Sequence, residues 1–105
     1  MDIKTDFFNI LNEAKKIQED IAHLQKDLDT LHVTGTSGIN LVQVEMQGNY
    51  FIQNITLDPS IFKEDKQIIE ELIKSATNDA IDKIKKQKND KLAKMKLPLN
   101  LKDVF

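Results

Sequence analysis

Every one of the fifteen basic side chains in this 105-residue sequence is a lysine. Eight of them fall in residues 80–105 against three carboxylates, a local balance of +5. Residues 1–30 hold four Lys against seven acids, and residues 31–79 hold three against seven. The chain as a whole carries −2. An ammonium cluster on an acidic chain can bind phosphate groups, displacing their condensed counterions. Without arginine it lacks the bidentate contact that most often reads guanine, so such binding leans on phosphates and not on base edges. The candidate contacts are Lys83, Lys85, Lys86, Lys88, Lys91 and Lys94, with Lys96 beyond them and Lys15 and Lys16 on an earlier stretch. Taken alone, the same run also reads as a solvated helix end whose cations suit the C-terminal dipole.

Other chemistries find little support. There is no Cys, which excludes disulfides, thiolate catalysis and Cys-ligated metal. His23 and His32 stand nine apart with no third ligand, so no metal or cofactor is expected. Glu19-Asp20, Glu64-Asp65 and Glu70-Glu71 are sequence neighbours that do not face each other on a helix, and no enzymatic site is expected. Gly35-Thr36-Ser37-Gly38 lacks the phosphate-loop spacing and reads as a turn. Tyr50, Phe51 and Phe62 do not form a base-stacking platform; Phe51 and Phe62 read as core. No basic, apolar leader opens the chain, and no apolar run is long enough to span a bilayer, so a cytoplasmic protein without membrane contact or small-molecule substrate is expected.

The elements that must position the lysines follow from hydrophobic period. Phe7, Ile10, Ala14, Ile17, Ile21, Leu24, Leu28 and Leu31 recur at steps of three and four. That is a heptad seam on a helix over 5–31, with Thr5 or Asp6 as its cap. A seam this long requires a long partner, either a second helix or a second chain. The period then changes to two. A short strand ends at Thr36-Ser37-Gly38; a second places Val42, Val44 and Met46 on one face; Gly48-Asn49 makes a two-residue hairpin. In the third strand Phe51, Ile55 and Leu57 share one face and Ile52, Asn54 and Thr56 the other. Pro59 ends it, and Ile61-Phe62 fit a helical turn under the sheet edge. A second helix over 64–96 carries Ile69, Ile73, Ala76, Ala80 and Ile84 as its apolar stripe, with Ala76 and Ala80 small enough for close approach. Pro98 stops it, leaving a flexible tail over 97–105. The chain is thus a single α+β domain, with a small antiparallel three-stranded sheet flanked by two long helices.

Several segments together resemble the bacterial YbaB/EbfC family of nucleoid-associated proteins. They are Leu31-x-Val33-Thr34-Gly35-x-Ser37-Gly38, Leu41-Val42-x-Val44, a turn centred on Gly48, Ile55-x-Leu57-Asp58-Pro59-Ser60, the acidic Glu64-Asp65 and the run Asn78-Asp79-Ala80. Their order and spacing carry the match, which covers about residues 7–97. The resemblance implies an α-β-β-β-α protomer, a tweezer-shaped homodimer, and duplex DNA bound by protruding helices at the nucleoid, with effects on chromosome organisation and gene expression. The lysines lie outside the matching motif and are assigned by charge and position. The dimer contact is expected on the sheet, at Val42, Val44, Met46, Phe51 and Ile55. The rival reading is an acidic dimeric adaptor or chaperone that does not bind DNA.

Overall fold

The computed structural model describes residues 3–94. The expected end of the second helix at residue 96, Lys96 and the tail over 97–105 lie outside them. The order of elements is α1 (Ile3–Asp29), β1 (His32–Ser37), β2 (Val42–Gln47), β3 (Ile52–Leu57), a 3₁₀ turn (Pro59–Lys63) and α2 (Lys66–Ala93). The strands form one antiparallel sheet in the order β1-β2-β3. This is the α-β-β-β-α arrangement that the alternation of periods predicts.

The core lies between one face of the sheet and α2. Val33 of β1 and Val42, Val44 and Met46 of β2 are buried against Ala76, Ala80 and Ile84 of α2, and Ile61 of the 3₁₀ turn joins them. No polar or charged side chain is buried among the described residues. The strict alternation along β2 keeps Gln43, Glu45 and Gln47 on the open face.

Close approach depends on absent side chains. A Cβ on Gly35 would overlap the Ala76 carbonyl oxygen and lie 2.5 Å from the Ala80 amide nitrogen. Gly35, Ala76 and Ala80 therefore let α2 lie directly on β1. Gly48 has the same role at the other end of the sheet, where its Cβ would overlap the Leu28 carbonyl oxygen and where its N–H donates to Leu31 O at 2.8 Å. That contact ties the β2–β3 hairpin to the end of α1.

The two hairpins differ from their sequence-based readings. Thr36 and Ser37 continue β1, and the turn falls on Gly38–Leu41, where Leu41 N–H donates to Gly38 O at 3.0 Å. Ile39 and Asn40 occupy its centre at φ 52° and 64°. The second hairpin has a three-residue loop: Tyr50 N–H donates to Gln47 O, Gln47 N–H to Phe51 O, and Tyr50 holds the left-handed position at φ 67°. In β3 a bulge follows. Asn54 lies opposite Glu45 but Ile52 lies opposite Met46, which leaves Gln53 as the extra residue. One extra residue reverses the alternation. Ile52 therefore joins Ile55 and Leu57 on the helix-covered side of the sheet, and Phe51 turns to the opposite face, the reverse of the expected assignment.

α1 begins at Ile3, so Thr5 and Asp6 stand in its first turn and do not cap it. Only the C-terminal end of its seam is covered. Leu24 and Leu28 are buried with Leu92 of α2, and Leu31 packs beside them. Phe7, Ile10 and Ile17 are exposed at 60%, 63% and 52%. The molecule measures 77 × 21 × 18 Å, with a radius of gyration of 20.7 Å. A compact chain of about 100 residues has a radius near 13 Å. α1 is about 40 Å long, and its N-terminal part stands off a small α/β body as an arm.

The Gly35 crossing yields a direct test. Gly35→Ala must push α2 off β1 or distort the strand, and it is expected to lower stability by about 3 kcal/mol, measured by urea denaturation. The same change at Gly38 meets only the movable Leu72 side chain but places a Cβ at the left-handed φ of 58°, and it is expected to cost about 1–2 kcal/mol.

Candidate nucleic-acid interface

The candidate lysines do not form one equivalent set. Lys83 is engaged by the fold: its Nζ lies 3.0 Å from Asp79 Oδ2 and donates to Thr34 O at 2.8 Å. The same Asp79 oxygen accepts the Thr36 N–H at 2.9 Å. Both backbone groups belong to β1 and point away from β2. Asp79 and Lys83 thus form a bracket that fixes α2 along the outer side of β1. Lys83 is thus engaged by β1, unlike the lysines further along α2.

Asp79 is held below the usual carboxylate range, chiefly by the Thr36 N–H and then by Lys83. A depressed folded-state value means that the stabilisation is complete above the ordinary Asp value of 3.8 and is lost as pH falls through the lowered one.

Lys88 has a different partner. Its ammonium stands 4.4 Å from the centroid of the Tyr50 ring, a cation–π contact at the tip of the second hairpin. Lys88 follows Ile84 by one turn on the row that faces the sheet, and this brings it over the hairpin. Lys85, Lys86, Lys91 and Lys94 are exposed and form no ion pair among the described residues. Lys86 has Asp82 and Asp90 one turn away on either side, which weakens its local field. The neighbours of Lys88 at three and four positions are Lys85, Lys91, Ile84 and Leu92, with no carboxylate among them. Lys85, Lys88 and Lys91 follow one another at steps of three along α2, with Asp82 three positions before Lys85. Lys15 and Lys16 are exposed on the arm of α1, apart from this group.

The expected contact set on the sheet divides. Val42, Val44 and Met46 are at 0%, 0% and 1% exposure inside the protomer's own core, so α2 has already taken the face they share. Ile55 remains at the surface, at 41%. Phe51 is exposed at 69% and Phe62 at 67%, so neither belongs to the core as their types suggest. Sequence reasoning missed the Asp79 bracket, although an acid and a lysine four apart on a helix are a visible signal. It had no signal for the Lys88–Tyr50 contact, which joins two distant segments.

No group of three or more His, Asp or Glu among the described residues could hold a metal ion. No helix among them is long and apolar enough to cross a membrane.

The sequence matches the model of the YbaB/EbfC DNA-binding family over residues 4–99. The chain belongs to this family. YbaB/EbfC proteins are bacterial, nucleoid-associated and DNA-binding, and DNA is accordingly the partner class of this chain. Among solved structures, the chain is similar to uncharacterized protein HP0035 from Helicobacter pylori, with 20% sequence identity and a TM-score of 0.63. The match covers 78% of this chain and 96% of that one. At this identity the likeness concerns the fold alone. The YbaB/EbfC fold here thus presents an α2 whose lysines have unequal duties.

The bracket can be tested separately from DNA. Asp79→Ala is expected to cost about 1 kcal/mol at neutral pH, since both partners are partly solvated. The gap from the unsubstituted protein should narrow as pH is lowered below 3.8, measured by urea unfolding across a pH series.

Proposed function

We propose that the protein is a non-enzymatic, homodimeric nucleoid protein of the cytoplasm that grips duplex DNA through phosphate contacts. The observation that carries this reading is the run of uncovered lysines toward the C-terminal end of α2. Lys85, Lys86, Lys91 and Lys94 are exposed, and Lys88 is held beside them by Tyr50. Two such helix ends on one dimer would straddle a duplex and replace its condensed counterions. Lys15 and Lys16 would add a second, weaker contact from α1. Chromosome organisation and gene expression would be affected through this sequence-tolerant grip.

The uncovered seam of α1 supports a second copy. Phe7, Ile10 and Ile17 continue the period of Leu24 and Leu28 yet have no partner within the described residues. Each buried side chain of this kind contributes about 1.5–3 kcal/mol, enough in sum to hold two arms together. Ile55, with Ile52 beside it, would extend the contact onto β3.

Two measurements test the reading. Affinity for a random duplex should fall about a thousandfold when salt is raised from about 50 to 200 mM, and Lys85→Glu, Lys86→Glu and Lys88→Glu combined should abolish the shift while the dimer persists. Lys83→Gln should weaken DNA binding far less than Lys85→Gln. Salt-indifferent binding, or none at low salt, would favour the acidic adaptor. Separately, Ile10→Asp with Ile17→Asp should give a monomer by sedimentation with the sheet intact; an unchanged dimer would remove α1 from the interface.

A further inference from the structure

We propose that Tyr50 is a positioning residue for DNA binding: its ring holds Lys88 in place as a preset phosphate contact on α2. This rests on the DNA-binding reading and adds to it a residue that acts through a lysine and does not itself touch DNA.

Lys88 occupies a position where an apolar residue is the simplest choice. Ala76, Ala80, Ile84, Lys88 and Leu92 follow one another at steps of four and so share one face of α2. The other four are buried. Ile84 belongs to the core between α2 and the sheet, and Leu92 to the small cluster with Leu24 and Leu28 of α1. The helix is thus fastened one turn before Lys88 and one turn after it. Lys88 itself is half-buried, whereas Lys85, Lys86, Lys91 and Lys94 are exposed. A lysine on this row gives up the packing that a leucine would supply.

The second hairpin fixes the other end of the side chain. The Lys88 ammonium lies 4.4 Å from the centroid of the Tyr50 ring. Tyr50 stands at φ 67°, a left-handed position that glycine or asparagine takes with less strain. The turn therefore does not account for a tyrosine, and the contact with Lys88 does. The backbone beneath the ring is held: Tyr50 N–H donates to Gln47 O and Gly48 N–H to Leu31 O, each at 2.8 Å. An ammonium resting on a ring face keeps N–H groups on its other side for a phosphate oxygen. No carboxylate stands three or four positions from Lys88 to compete for it. Ordering a long side chain in advance removes a cost that a free lysine meets on binding. Lys85 and Lys91 meet that cost in full.

The test measures anisotropy of a fluorescein-labelled random duplex with the full chain across a salt series, and urea unfolding checks the fold of every variant. Tyr50→Leu keeps a large apolar side chain at the same backbone position and loses the ring. It is expected to weaken binding about fivefold with the salt slope unchanged, because the Lys88 charge remains. Tyr50→Phe is expected to bind as tightly as the unsubstituted protein. Lys88→Leu suits the apolar row; it is expected to weaken binding and to lower the salt slope by about one per bound copy. With Lys88→Leu in place, adding Tyr50→Leu should change affinity no further. A general loosening of the hairpin would instead weaken binding with or without Lys88. Unchanged or tighter binding by Tyr50→Leu, or an equal loss in both backgrounds, overturns this inference and leaves phosphate binding standing. Absence of duplex binding by the unsubstituted protein at low salt overturns both readings.

Discussion

The contact on which this structure depends is the crossing of α2 over β1 at Gly35. A side chain there would occupy the space of the Ala76 carbonyl, and neither Ala76 nor Ala80 could be larger without separating the layers. The crossing sets the depth at which Val42, Val44 and Ile84 interlock, and it fixes the angle at which α2 leaves the sheet. That exit angle decides where the lysines of the last turns stand. The Asp79–Lys83 bracket then fixes the helix along its length, so that Lys88 arrives over the second hairpin and Leu92 reaches Leu24 and Leu28. The charge-bearing end of the molecule is thus aligned by a contact between three residues with almost no side chain.

Much of the fold was legible in the sequence because two periods, near 3.6 and 2, alternate cleanly along the chain. The seam from Phe7 to Leu31, the face shared by Val42, Val44 and Met46, and the small pair Ala76 and Ala80 all follow from spacing. What spacing could not reveal was parity after an insertion. Gln53 is one extra residue in β3, and it exchanges the faces of Phe51 and Ile52 without any change in composition. The positive φ at Tyr50 was hidden for a related reason. The neighbouring Gly48 and Asn49 are the usual turn formers, yet Gly48 is required for space against Leu28 and not for its dihedral freedom.

The candidate site was legible as a charge balance but not as an arrangement. A lysine count treats Lys83 and Lys88 alike. In the folded chain one completes the outer side of a strand and the other sits on an aromatic ring. Their roles depend on which distant segment lies beneath each helical turn. The same limit applies to the expected dimer face: alternation identifies the apolar side of β2, but it cannot say whether the covering surface comes from the same chain or another. Here α2 covers it, while apolar surface remains along α1 and at Phe51, Ile55 and Phe62.

The bracket on β1 also bears on how large an assembly can become. Asp79 and Lys83 occupy the Thr36 N–H and the Thr34 carbonyl, two of the groups an incoming strand would need. Pairing of another strand onto β1 is thereby hindered by two side chains of the protein's longest helix.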